Sequence, residues 1–225
     1  MSHEFCMRGA LRRLTRQEPT RRSWILAREP QQRPAMSRNL ENLSLELWAT
    51  RSRPYFWLRI LALLFVFPHN GAANAYIRLS QHFDETGRPR LSRWMARRLQ
   101  REFGCMVSPK AKIGPGLKLP HPNGIVIGEG VVIGERCTVF QQVTVGGARL
   151  GDWQRGAYPH IDDDVTLFAG AKLVGAISVG ADVTVGANAV VTRDVPAGHV
   201  AVGIPAVSRA RKPADPPTGD AASDP

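Results

Sequence analysis

His121 stands between two prolines in "LPHPNGIVIGEG", residues 119–130, just ahead of branched apolar residues and glycines. A neutral imidazole, with an ordinary pKa of about 6.5, can take the proton of a hydroxyl near neutral pH, so His121 is a candidate general base. The bland reading is a histidine that only fills a turn. His160, in "YPHI", is a second candidate, while His69, His82 and His199 are expected to be structural or exposed. Cys6, Cys105 and Cys137 are widely spaced and odd in number. They make no metal-type cluster and no disulfide framework, so no metal is expected, and the pattern fits a reducing cytoplasm.

The elements that must position such a histidine are written in a repeat. Ile161, Leu167, Leu173, Val179, Val185 and Val191 recur at every sixth place. Val165, Ala171, Ile177, Val183 and Ala189 occupy a second inward place in the same frame. Upstream the frame holds Ile127, Ile133, Val139 and Val145, with Val131, Cys137 and Val143 at the second place, and before them Val107, Ile113 and Leu119. A fixed period of six predicts a parallel β-helix. Each unit makes one short flat side of a coil, one aliphatic residue points to the axis, and stacked units pair backbone to backbone. A β-sandwich would alternate with period two and carry hairpin turns instead. The frame breaks twice. Two extra residues fall at "HPNG", between Leu119 and Ile127, and ten fall between Val145 and Ile161, in "GGARLGDWQRGAYPH". Insertions from a solenoid tend to line one functional face, so both breaks are expected to point towards one site.

Ahead of the repeat the chain changes character. Residues 36–104 read as helical. In "LSRWMARRLQREFG", Leu91, Trp94, Met95, Leu99 and Phe103 share a face, arginines lie opposite, and Gly104 is the stop. Residues 1–35, rich in Arg, Gln and Pro, are expected to be a disordered extension, since "MSRNLENLSLELWATRSRP" from Met36 reads like an ordinary start. The coil is expected over 105–208 and a disordered tail over 209–225. No signal peptide is evident at the N-terminus. The apolar run Tyr55 to Phe67 is interrupted by Arg59 and ended by Pro68. It is shorter than the roughly 20 residues of a spanning helix, so it reads as a buried helix, or alternatively as one making peripheral contact with the inner membrane face. The formal charge of +11 on 225 residues sits mostly in the first 55 residues and in 88–101. Its arginines are not interleaved with a nucleic-acid motif, so no nucleic-acid partner is expected.

The stretch "KIGPGLKLPHPNGIVIGEGVVIGERCTVFQQVTVGG", followed by "PHI" and "VTLFAGAKLVGAISVGADVTVGANAVVTRDVPAGHVAVGIPA", resembles the hexapeptide-repeat acyltransferases. Within them it is most similar to the serine acetyltransferase-like group. The resemblance implies a mainly β fold, a left-handed parallel β-helix preceded by a helical N-terminal region. It also implies a cytoplasmic homotrimer with its active site between subunits, and leaves open a dimer of trimers through the helices. Acetyl-CoA is the implied co-substrate. His121 matches the family's catalytic histidine. Gly147, Ala169 and Ala187 match places that offer backbone amides along the thioester and pantetheine arm. Lys172 and the group Arg209, Arg211 and Lys212 are candidates for the CoA phosphates. Tyr158 stands where the serine enzymes carry a second active-site histidine, and His160, two places on, is expected to touch acceptor or cofactor.

Two departures shape the expected acceptor. Serine acetyltransferases carry a carboxylate fifteen residues before the catalytic histidine and an aspartate immediately before it. Here those places are Met106 and Pro120. A buried ammonium without its carboxylate loses a charge-assisted hydrogen bond and keeps its desolvation cost. The site is therefore expected to suit free serine poorly. The pattern is more similar to acetyltransferases of the same group that serve exopolysaccharide, capsule or lipopolysaccharide synthesis, and that resemblance implies a sugar hydroxyl, free or lipid-linked, as acceptor. Serine O-acetyltransferase in cysteine biosynthesis and a non-catalytic trimeric scaffold are the alternatives.

Overall fold

The computed structural model describes residues 37–46, 60, 62, 70–149 and 151–211. The expected extension at 1–35, most of the run Tyr55 to Phe67, and residues 212–225 of the expected tail lie outside the described residues; the tail's first residues, Arg209 and Ala210, are instead the end of a strand. Among the described residues, the helices α1 (Arg38–Glu46), α2 (Asn70–Glu85) and α3 (Pro89–Phe103) come first. Proline opens α3, where its missing N–H is not needed. Gly104 closes it at φ 64°, and its N–H bonds to the Gln100 carbonyl. No described helix is long and apolar enough to cross a membrane.

The six-residue units then wind into a three-faced parallel coil. Face one stacks β1 (Met106–Val107), β3 (Val126–Ile127), β6 (Thr144–Gly146), β9 (Lys172–Val174) and β12 (Val190–Val191). Face two stacks β2 (Lys112–Ile113), β4 (Val132–Ile133), β7 (His160–Ile161) and β10 (Ser178–Val179). Face three stacks β5 (Thr138–Val139), β8 (Thr166–Leu167), β11 (Thr184–Val185) and β13 (His199–Gly203). A short helix, α4 (Asp152–Arg155), lies in the long insertion.

The register explains how the coil absorbs its insertions. Inward partners stand eighteen residues apart where the frame is whole, as Ile127 with Val145 and Ile161 with Val179. They stand twenty apart across "HPNG", as Ile113 with Ile133, and twenty-eight apart across the long insertion, as Ile133 with Ile161. In every case an aliphatic residue still meets an aliphatic residue, so the column is unbroken. Val139, Val145, Ile161, Leu173 and Val185 are fully buried in it. One hydrophobic core runs from Leu40 in α1 to Ala201 in β13. The corner from face three to face one needs a left-handed residue. Gly124 and Gly170 supply it at φ 63° and 73°, and Gln142 and Asn188 take the same conformation at 59° and 56°.

A parallel coil leaves backbone groups unpaired at its two ends, and the chain covers each differently. At the first turn, side chains of α2 reach the carbonyls that have no strand beneath them among the described residues. Asn74 donates to the Leu117 carbonyl (2.9 Å), Gln81 to that of Ala111 (2.8 Å), and Arg78 to those of Ile113 (2.7 Å) and Gly114. Arg78 is wholly buried and paired with Glu46 of α1, whose carboxylate also accepts from the Leu117 N–H. Burial is the larger influence on Glu46 and pushes its carboxyl up, while the Arg78 guanidinium pulls it back. At the last turn the repeat departs from pattern. β14 (Ala206–Ala210) folds back antiparallel on β13, a hairpin the six-residue period did not predict. It gives the final strand of face three a partner where the coil has run out.

Removing one member of a buried ion pair leaves the other charge uncompensated. Glu46→Ala is expected to lower unfolding stability by about 3–5 kcal/mol. Chemical denaturation at fixed protein concentration checks this; an unchanged midpoint would show that the pair does not secure the first turn.

Candidate functional site

His121 lies at the corner from face three to face one. Its backbone is held there: the Asn123 N–H bonds to the His121 carbonyl at 2.8 Å, and the Gln142 N–H of the next turn bonds to the Asn123 carbonyl at 2.8 Å. The two extra residues thus form a tight, hydrogen-bonded bulge. The imidazole is exposed, and among the described residues no hydrogen bond reaches its ring nitrogens. Its ring centroid lies 6.4 Å from that of Phe140, tilted by 46°. Phe140 in turn stacks on Phe168, 5.1 Å away and 11° from parallel. The same corner carries Ala169 and Ala187 in later turns, next to Gly170 and Asn188. Lys172, at the start of β9 just past that corner, donates to the Gln142 carbonyl at 2.6 Å. The structure therefore brings His121, Ala169, Lys172 and Ala187 along one edge of the coil.

The long insertion leaves from a different corner, between faces one and two. Gly147 opens it. Asp152, which is buried, accepts from the N–H groups of Ala148 (2.8 Å) and Arg149 (2.7 Å) through one carboxylate oxygen, so the loop is tied back to its own root. Tyr158 lies flat against the coil: a Cβ added at Gly130 would collide with its ring, and one at Gly128 would touch it at 3.1 Å. His160 follows on β7, outward on face two, with Nε2 3.3 Å from the Asp162 carboxylate. Within one chain the two breaks leave from separate corners of the coil. Each break is a change in the length of a unit, and which corner it swells depends on where in the three-unit turn it falls.

Met106 is on β1, 51% exposed, in an open groove whose far wall is Arg93, Arg97 and Gln100 of α3. Pro120 lies two residues past Lys118, which bridges Thr138, and directly precedes His121. Arg211 is engaged by Asp182 (3.0 Å) and Thr184 (2.8 Å), Arg209 lies on β14, and Lys212 is outside the described residues. Cys105 and Cys137 are buried free thiols, and burial pushes that of Cys137 up to about 11, so neither is a nucleophile at neutral pH. Among the described residues no group of three His, Cys, Asp or Glu could hold a metal. Sequence reasoning missed Asp152, Phe140 and Phe168. The two phenylalanines carry a signal in hindsight, since both directly follow an inward residue of face three.

Known proteins match both the sequence and the fold. A serine acetyltransferase of Buchnera aphidicola is 38% identical over 135 residues, covering 60% of this chain and 48% of that protein. One of Helicobacter pylori is 47% identical over 100 residues, covering 44% and 57%. The crystal structure of Neisseria gonorrhoeae serine acetyltransferase superimposes with a TM-score of 0.63 at 31% identity, over 79% of this chain and 68% of that one. No protein-family profile matches the chain. It belongs to the serine acetyltransferase-like group of hexapeptide-repeat acyltransferases, and its coil is a left-handed parallel β-helix. The chain spans about half the length of the curated relatives it matches.

These relatives overturn the expectation of a sugar acceptor. Relatives 36–47% identical over 100–149 residues of this chain are serine acetyltransferases. The sugar reading rested on Met106 and Pro120 and on a likeness to polysaccharide-synthesis acetyltransferases. Met106 faces the groove under α3, Pro120 directly precedes His121, and the other candidate residues are spread over two corners of the coil. Two missing side chains at one edge do not define an acceptor.

The carboxylate of Asp152 makes two charge-assisted bonds, each of about 1.5–3 kcal/mol, that close the loop. Asp152→Ala is expected to speed tryptic cleavage at Arg149 and Arg155 by roughly tenfold or more without moving global unfolding, since only a local opening is eased. Equal cleavage rates in variant and parent would refute the tether.

Proposed function

We propose that the protein is an acetyl-CoA-dependent serine O-acetyltransferase with His121 as general base. The observation that carries this is the coincidence of His121 with the two-residue bulge of the coil, in a chain 36–47% identical over 100–149 residues to serine acetyltransferases. A solved serine acetyltransferase in complex with CoA, 29% identical with a TM-score of 0.62, supports acetyl-CoA as the donor.

In this reaction His121 takes the proton from the serine hydroxyl as its oxygen attacks the thioester carbonyl. The tetrahedral intermediate carries its negative charge on the former carbonyl oxygen, which backbone N–H groups at the small-residue positions, Gly147 or Ala169, would steady. Collapse breaks the carbon–sulfur bond, and the CoA thiolate recovers the proton from His121. The products are O-acetylserine and CoA. Lys172 and Ala187, further along the same edge, line the path for the pantetheine arm and phosphates.

The two corners bear on assembly. His121 and Ala169 sit at one corner, Gly147, Tyr158 and His160 at or beyond another. One chain cannot close a site from both, but a neighbour packed side by side could present its long-insertion corner to this chain's His121 corner. That supports a homotrimer with three composite sites, in which Tyr158 and His160 act on the acceptor held by the next subunit.

His121→Ala is expected to lower kcat by roughly 10²–10⁴-fold, the usual worth of a positioned base, with the fold intact by circular dichroism. The assay is CoA release with L-serine as acceptor and mass-spectrometric detection of O-acetylserine. Undiminished transfer in the variant would remove His121 as the base, and no O-acetylserine from the parent would remove serine as the acceptor.

A further inference from the structure

We propose that Phe140 is the positioning residue of His121, orienting the imidazole through ring packing, and that Phe168 locks Phe140 in place from the next turn of the coil. The naming of what the imidazole is oriented for rests on the acetyl-transfer reading above; the ring geometry does not.

A general base must present one nitrogen to the proton it takes. Histidine side chains are usually fixed by an acceptor on the other nitrogen, which sets ring orientation and tautomer together. Among the described residues His121 has no such acceptor. Its main chain is held within the bulge, yet an exposed imidazole free to turn about two side-chain bonds spends part of its time misdirected. Among the described residues its ring contact is with Phe140, at a centroid distance of 6.4 Å and a tilt of 46°. That lies within the range in which a ring edge meets a neighbouring ring's face favourably.

Phe140 can perform this role only if it is itself immobile, and the coil makes it so. Thr138 and Val139 pair with Thr166 and Leu167, so Phe140 and Phe168 occupy equivalent places on successive turns. The Phe140 N–H bonds to the Leu167 carbonyl at 3.0 Å, and the Phe168 N–H to that of Val185 at 2.9 Å. Strand spacing in a sheet is about 4.8 Å, and the two rings stack at 5.1 Å, 11° from parallel. The stack is thus a direct copy of the backbone ladder, and it transmits the rigidity of the coil to an exposed corner. The simpler role for two outward phenylalanines is surface packing that stabilises the coil. Such a role would not couple them to His121.

The test uses the full chain. Phe140→Leu is expected to lower kcat about tenfold, the size of one lost ring contact, with both KM values unchanged. Phe140→Tyr, which keeps the ring, restores the rate. Phe168→Leu lowers kcat less, and in the Phe140→Leu background it has no further effect, because it acts through Phe140. Additive losses, or a full rate in Phe140→Leu, would overturn the proposal. A second readout needs no turnover: acylation of His121 by diethyl pyrocarbonate, followed by peptide mass spectrometry. Removing the ring in Phe140→Leu is expected to speed this acylation several-fold, by the same lost contact, and Phe140→Tyr to leave it at the parent rate. An unchanged rate in Phe140→Leu overturns the ring contact even if serine proves not to be the acceptor.

Discussion

A parallel coil satisfies its backbone only between turns, and its first and last turns are therefore the places where it is most exposed to failure. In this protein the first turn is closed by a buried arginine. Arg78 bonds to the carbonyls of Ile113 and Gly114 while its charge is met by Glu46. Asn74 and Gln81, on the same helix, take two further carbonyls. The polar residues of α2 thus stand in for a missing strand. Everything above depends on this, because each turn presents to the next the backbone pattern it was itself given.

With the ladder secured at both ends, the column of aliphatic residues sets what else can vary. A six-residue unit can be lengthened at a corner without disturbing the column, as Ile113 on Ile133 and Ile133 on Ile161 show. The chain uses that freedom twice. One lengthening exposes His121, and the other throws out a loop tied at its root by Asp152. The inward residues are nearly invariant in type along the coil, while the groups able to do chemistry are all on corners or outward positions. Stability and chemistry are thereby separated residue by residue.

The acceptor shows where local reasoning overreached. Met106 and Pro120 lack the carboxylates that serine acetyltransferases carry, and a missing carboxylate weakens the hold on an ammonium. That inference is sound for a pocket built by those two residues alone. Met106 instead lines a groove against Arg93 and Arg97 of α3. The likeness over 100 residues, at 47% identity, weighs more than two positions at one edge.

The sequence by itself determined the coil. Its period of six, its inward residues from Val107 to Val191 and the size of both insertions were legible because burial of one side chain per unit is a local, repeating demand. His121 was legible for the same reason, as the residue where the repeat lengthens. The rest was decided by tertiary structure. That the two insertions leave from separate corners follows from counting units around a three-faced turn. That Arg78, Asn74 and Gln81 would pair with carbonyls more than 25 residues away is not encoded in any periodicity, since a helix face carrying Asn, Arg and Gln reads as solvent-exposed. The stack of Phe140 on Phe168 was hidden too, because residues twenty-eight apart in the chain become neighbours only once the coil has closed around the long insertion.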